Sequence, residues 1–297
     1  MSYKAIINGY EEYKELRSGA GTITDEGRKI NFCNSHILAE GDSWFHFNLL
    51  GVQENLLQSI EFSKPTAIAN MALSGDDVSQ MMDGSIKGFF NKSRVKHFKA
   101  AIAYQQWDMF LLSAGGNDLI NAFDGGYKVS DTETVQIIKK KDENSNGLSH
   151  LDYIDEKALK QALAHIKECF AQIIAMLRHD SRHSQTPIIA HTYDYFTLRH
   201  CKNKKDKSIR QKALENCNVP KTYWKLITEL MNDQLAQTLL TFNDDGTYPN
   251  VRVINTLSTL TQADQDVEGN TKHWRNEIHP NKTGYNKLAK DRINQYL

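Results

Sequence analysis

Five short apolar runs punctuate the chain, and the first three end in glycine-containing turns. They span about 36–41 (Ile37, Leu38 and Ala39 at its centre), 66–73, 107–113, 187–193 and 251–255, and they read as buried strands. The segments between them carry helical spacing instead. Leu159, Leu163, Ile166, Phe170, Ile173 and Leu177 recur at intervals of 4, 3, 4, 3 and 4, which predicts a helix over 155–178 with Asp155 as its N-cap. Ile227, Leu230, Met231 and Leu235 predict a second helix over 223–240, and Tyr285, Leu288, Ala289 and Ile293 a last one over 282–296. Val78, Met81 and Met82 place a further helix over 78–90. Strands alternating with helices predict an α/β fold, a central five-stranded parallel sheet with helices on both faces.

Residues 1–30 are polar, with Tyr10, Tyr13 and Leu16 at helical spacing. They read as an N-terminal extension whose short helix packs on a single main domain, residues 31–297. Two polar stretches interrupt that domain, at about 121–150 and 194–222. Long loops inside a compact domain are usually functional or disordered.

Composition narrows the function. The 297 residues, 40% of them hydrophobic and 24% charged, can build one large core without disulfide or metal staples. Lys+Arg and Asp+Glu balance at 36 each, which removes the basic excess expected of a nucleic-acid binder. There is no signal-peptide pattern near Met1 and no run of ~18 apolar residues that would span a bilayer. Cys33, Cys169, Cys201 and Cys217 are scattered, so reduced thiols in a cytoplasm are the expectation, with no metal site and no cofactor.

Polar residues cluster where the strands end. Gly41-Asp42-Ser43-Trp44 follows the first strand, Ser74-Gly75-Asp76-Asp77 the second and Gly115-Gly116-Asn117-Asp118 the third. A fourth block, Trp274 to Pro280, precedes the last helix and carries Asn276, Glu277 and His279. In an open parallel sheet these strand ends share one face, the face that binds ligands. Ser43 is placed there as a nucleophile would be, and a histidine such as His279 suits the base it needs. The backbone N–H groups of Ser43 and Gly75 and the side-chain amide of Asn117 would supply an oxyanion hole.

In their order and spacing over about residues 35–295, these four blocks resemble the SGNH (GDSL-type) hydrolase family. The resemblance implies a flavodoxin-like three-layer α/β/α fold and ester hydrolysis through a serine. It also implies Ser43 as nucleophile, His279 as base, and Gly75 and Asn117 beside Ser43 as oxyanion donors. The chain departs from the family pattern three residues before the histidine, where the usual Asp is Asn276. Loss of that charge costs about four orders of magnitude in a chymotrypsin-type triad. Three readings stay open. A Ser43–His279 dyad works with Asn276 or a backbone carbonyl orienting the ring; another carboxylate serves, with Glu277, Asp194 and Asp118 as candidates; or the site binds without turnover. Trp44 also replaces the small or aliphatic residue more usual after the serine.

Asp42, Trp44, Tyr193 and Asp194 lie beside the strand ends and are expected to contact substrate, a small-molecule, glycan or lipid ester. Arg199 to Lys207 is the one basic cluster. Its Lys202–Lys207 part reads as a solvated face, or as part of a lid with Tyr193, Tyr195 and Phe196 whose lysines meet an anionic group. Ser93-x-x-Lys96 with Lys282-Thr283-Gly284 mimics penicillin-binding signatures, but Ser-Asp-Asn is missing and Lys282 opens a helix. His179 and His183 read as a solvated helix end, and His46 and His191 as structure. Two functions follow: a serine esterase, or a catalytically impaired module that holds a carbohydrate or acyl ligand.

Overall fold

The computed structural model describes residues 2–18, 29–46, 48–49, 52–78, 92–130, 132–142, 149–199, 209–244 and 246–297. Its centre is a sheet of six parallel strands: β1 (Ile6–Gly9), β2 (Ser35–Gly41), β3 (Thr66–Asn70), β4 (Met109–Ser113), β5 (Ile188–His191) and β6 (Val251–Ile254). They lie in the order β6-β5-β4-β2-β3-β1, with Ile37 of β2 opposite Ile68 of β3 and Leu38 opposite Phe110 of β4. Five strands were expected from the apolar runs. The sixth, β1, is an edge strand of four residues, Ile-Ile-Asn-Gly, half-buried and paired only with β3. One paired edge needs no continuous apolar run, so the hydrophobic pattern does not announce it.

The seven helices that matter here are α1 (Tyr10–Ser18), α2 (Lys92–Tyr104), α3 (Gly116–Asp124), α4 (Glu156–His179), α5 (Ile209–Asn216), α6 (Lys221–Asp244) and α7 (Lys282–Leu288). Right-handed crossovers put connections that step one way along the sheet on one face, and connections that step back on the other. The chain steps from β2 out to β3, then returns past β2 to β4, β5 and β6. Helices therefore cover both faces, and the direction reverses between β2 and β4. In α4 the apolar stripe expected from spacing is buried from Leu159 to Leu177, and Asp155 caps the helix by accepting from the Ala158 N–H at 3.0 Å. The last helix changes pitch early: after Leu288 a wider π turn runs over Ala289–Ile293 and a 3₁₀ turn over Asn294–Tyr296.

The described part of the stretch at 121–150 is more ordered than its polarity suggests. It finishes α3, then forms a small hairpin, Tyr127–Lys128 against Thr134–Val135, and Tyr127, Val135, Ile137 and Ile138 are buried in the core. These apolar residues are spread among polar ones with no period. His183 is also buried, its ring held by Thr186 and the Ile102 carbonyl, and does not form a solvated helix end. Most of the expected helix at 78–90 and the lysines at 202–207 lie outside the described residues. Among the described residues no helix is long and apolar enough to cross a membrane, and no cluster of three or more His, Cys, Asp or Glu could hold a metal ion.

Candidate active site

The end of β2 turns on Asp42. Its carbonyl accepts from the Phe45 and His46 N–H groups at 3.1 and 3.0 Å, and its carboxylate accepts from the Trp44 N–H at 2.9 Å. This side-chain-stabilised turn leaves Ser43 at its apex. The turn is tied to the neighbouring strand ends: the Asp42 N–H donates to the Ser113 carbonyl at 3.1 Å, and the Leu73 N–H to the Gly41 carbonyl at 2.9 Å. Three of the four sequence blocks are thus brought side by side at the point where the strand order reverses, the crevice where open α/β sheets bind ligands.

Below the serine, the Asp42 carboxylate also accepts from the Ser113 hydroxyl at 2.9 Å and the Tyr193 hydroxyl at 2.5 Å. The group is buried, and burial pushes its pKa from 3.8 up to about 6 against the pull of these donors. The Tyr193 ring is seated so closely over Gly116 that an added Cβ there would meet its Cζ at 2.7 Å. Glycine at 116 is therefore a matter of close approach, and it admits the ring that holds Asp42. At Gly75 the reason differs: its φ of +91° lies in the left-handed region, and the position is exposed. The next residue, Asp76, accepts through its carbonyl from Asn117 Nδ2 at 2.7 Å, which couples the second block to the third. Asn117 stands in the first turn of α3.

The fourth block is a tight loop closed by a bridge between Trp274 and Pro280. Its histidine reaches the serine: His279 Nε2 lies 2.7 Å from Ser43 Oγ. Behind the ring, Asn276 Nδ2 lies 3.0 Å from His279 Nδ1. The other end of that amide is also engaged, because Asn276 Oδ1 accepts from the Ile278 and His279 N–H groups at 3.0 and 2.7 Å. Neighbours clamp the loop from several sides. Trp44 Nε1 donates to the Ile278 carbonyl at 3.3 Å, Arg210 pairs with Glu277 at 2.6 Å, and Arg275 pairs with Glu54. Arg199 is buried and donates to the Asn276 carbonyl at 3.1 Å and to the carbonyls of Val267 and Gly269. It opens the basic cluster in the sequence, and a charge run alone offers no signal for such a structural arginine.

The three alternative carboxylates are committed elsewhere. Asp118 accepts from the Val78 N–H and the Tyr127 hydroxyl, and burial beside Asp77 pushes its pKa up. Asp194 accepts from four backbone N–H groups, of Tyr195, Ser258, Thr259 and Leu260, at 2.6–3.0 Å. Glu277 is the partner of Arg210. None is the group on His279 Nδ1; that place belongs to Asn276.

A small cleft of about 30 Å³ opens beside Ser43, with Asn117, Ile120, Phe196, Leu235 and Ile278 among its walls. Asp42, Trp44, Tyr193 and Asp194 also border it. The polar atoms of Asp42, Tyr193 and Asp194 are taken up by internal hydrogen bonds, so these three offer the cleft its shape. Trp44 stacks on His191 with ring centroids 5.4 Å apart, and His191 in turn is buried, its pKa pushed down to about 4 by desolvation.

A family model described as GDSL-like lipase/acylhydrolase matches residues 23–291. No curated protein matches the chain. Similar solved structures include one from Parabacteroides merdae assigned as a GDSL-like lipase, at 15% identity and a TM-score of 0.46, covering 86% of this chain and 93% of that one. Another, assigned as an arylesterase from Agrobacterium tumefaciens, has 11% identity and a TM-score of 0.46 over 86% and 95%. A third, assigned as a GDSL-like lipase from Bacteroides ovatus, has 15% identity and a TM-score of 0.38; it covers 87% of this chain, which spans about half, 51%, of that one.

Proposed function

We propose, for a chain that belongs to the GDSL-like lipase/acylhydrolase family, the hydrolysis of ester bonds with Ser43 as nucleophile and His279 as its proton partner. The observation that carries this is the 2.7 Å contact between Ser43 Oγ and His279 Nε2 at the reversal point of the sheet. Nucleophile and base within hydrogen-bond reach is the arrangement serine acyl transfer needs. Ser43 Oγ attacks the ester carbonyl and its proton passes to His279 Nε2. The leaving alcohol takes that proton as the carbonyl re-forms. Water then attacks the acyl-serine, gives a proton to Nε2, and releases the acid as the serine recovers its proton. Donors for the oxyanion are the Ser43 and Gly75 N–H groups and the Asn117 amide, which would turn from the Asp76 carbonyl to the substrate.

Bounded by the described residues, the cleft beside Ser43 has room for about 30 Å³, space on the order of two water molecules. That favours an acetyl or other short acyl group, on a sugar or another small alcohol, over a long lipid chain. The steady-state rate on a panel of p-nitrophenyl esters of increasing chain length tests both statements. Hydrolysis should be greatest with acetate or butyrate and absent in Ser43→Ala.

A second reading, a binding module that retains the pocket without turnover, is favoured by the Asn276 amide on His279 Nδ1. Under it, Ser43→Ala would bind ligand as wild type does, and wild type would hydrolyse none of the esters.

A further inference from the structure

We infer that Asn276 is a positioning residue that holds His279 in the tautomer with its proton on Nε2, directed at Ser43, so that the serine is left unactivated in the resting site. The kinetic part of the inference rests on the proposed serine chemistry; the tautomer itself does not.

The orientation of the Asn276 amide decides the matter, and its hydrogen bonds assign it. Two backbone N–H groups, of Ile278 and His279, point at one end of the amide. A donor cannot face two donors, so that end is the oxygen. The other end is then the NH₂, and it faces His279 Nδ1 at 3.0 Å. An NH₂ group can only donate. Nδ1 of the neutral ring must therefore carry the lone pair, and the ring proton sits on Nε2. Nε2 in turn is 2.7 Å from Ser43 Oγ and donates to it.

This is the reverse of what the first proton transfer requires. A base at Nε2 needs its lone pair there and its proton on Nδ1. Moving the proton to Nδ1 would set Nδ1–H against the Asn276 NH₂. Turning the amide over to avoid that would set the NH₂ against the Ile278 and His279 N–H groups. The doubly protonated ring formed during catalysis meets the same opposition, because the neutral Asn276 amide stands on Nδ1 where a carboxylate would offset the developing cation. An Asp at this position removes every conflict. One carboxylate oxygen keeps the two backbone N–H groups, and the other accepts from Nδ1–H. Asn276 thus acts as a throttle built into the loop: it preserves the turn that carries His279 and withholds the base.

The test is the ¹⁵N–¹H correlation spectrum of the histidine side chains of the full chain, in mildly alkaline solution where the ring is neutral. His279 is assigned by the loss of its signals in His279→Ala, and wild type is compared with Asn276→Asp. In wild type, Nδ1 of His279 should resonate as a lone-pair nitrogen and Nε2 as a protonated one. In Asn276→Asp the two should exchange character. The rate of Ser43 acylation by a fluorophosphonate, and of acetate-ester hydrolysis, should rise ~10³- to 10⁴-fold in Asn276→Asp, the scale on which the opposite change slows a chymotrypsin-type triad. A wild-type ring protonated on Nδ1 overturns the inference, and the wild-type spectrum suffices for that whether or not the variant folds. A switched tautomer with an unchanged, measurable wild-type rate overturns the throttle. If the tautomer switches and neither protein reacts with fluorophosphonate or ester, the positioning of the ring stands and the serine-hydrolase reading falls.

Discussion

Replacing Asp194 by Ala should destabilise the protein by ~4 kcal/mol without removing the proton partner of Ser43. The residue follows β5, and its carboxylate collects four N–H groups: Tyr195 and Ser258 at 2.8 Å, Thr259 at 3.0 Å and Leu260 at 2.6 Å. Three of them belong to the loop after β6, where Ser258 adopts a φ of +58°, a left-handed conformation that a serine does not hold without help. The four bonds are not worth four times a charged hydrogen bond. Ser258 is exposed and Tyr195 half-buried, so water can replace the carboxylate for those two. Burial also raises the Asp194 pKa, so part of the gain is spent on desolvation. The deficit that remains is at Thr259 and Leu260, both buried. Leaving a buried donor unsatisfied costs ~1–3 kcal/mol, hence ~4 kcal/mol for the pair. At ~2.1 cal/mol/K per residue, 297 residues unfold with an entropy of ~0.6 kcal/mol/K, so the melting temperature should fall by ~6 °C. Scanning calorimetry of wild type, Asp194→Ala and Asp194→Asn reads this directly, with Asn, which keeps one acceptor oxygen, falling about half as far. A shift under ~1 °C for Asp194→Ala would refute the bracing role. Fluorophosphonate labelling of Asp194→Asn should stay within a few-fold of wild type; a ~10³-fold loss would instead make Asp194 the missing carboxylate of the site.

The nucleophile turn yields two further predictions. Gly116→Ala puts a methyl 2.7–3.0 Å from three Tyr193 ring atoms, so the ring must shift and its hydroxyl leave Asp42. A loss of ~1–3 kcal/mol in urea unfolding and slower Ser43 labelling should follow, while Tyr193→Phe, which removes the hydroxyl alone, should slow labelling in the same direction. Asp42 should also impose a pH dependence on stability. Its pKa is raised in the folded state, from 3.8 to about 6, so the folded protein binds the proton more tightly. The associated stability is fully present below about pH 4 and is lost as the pH rises through about 6, ~3 kcal/mol at 1.36 kcal/mol per pH unit. The stability difference between wild type and Asp42→Asn, followed by urea unfolding between pH 4 and 7, should therefore move against wild type by that order; a flat difference would contradict it.

Much of this architecture is legible in the sequence because parallel strands buried on both faces must be apolar and short. β3 to β6 lie inside four of the five apolar runs, and β2 starts one residue before the remaining one. β1 escaped because it is short and half-buried at a sheet edge, and the hairpin at 127–135 because its buried residues are spaced by polar ones. At the site, strand-end position and spacing pick out Ser43, Asn117 and His279, and the Asn276 substitution is plain in the sequence. Which end of the Asn276 amide faces the ring is not. That follows from two backbone N–H groups of a turn only three residues long, and the turn exists only in the folded loop. Arg199 is illegible for a similar reason, since its three carbonyl partners are far from it in the chain, at 267, 269 and 276.

The central claim, that Ser43 is a nucleophile served by His279, is tested most directly by intact-mass analysis after fluorophosphonate treatment of wild type, Ser43→Ala and His279→Ala. One adduct on wild type, absent from Ser43→Ala and formed more slowly on His279→Ala, is the predicted result. An unmodified wild type under conditions that label Asn276→Asp would assign the silence to the throttle and leave Ser43 as the nucleophile. A folded wild type and a folded Asn276→Asp that both remain unmodified would contradict the claim.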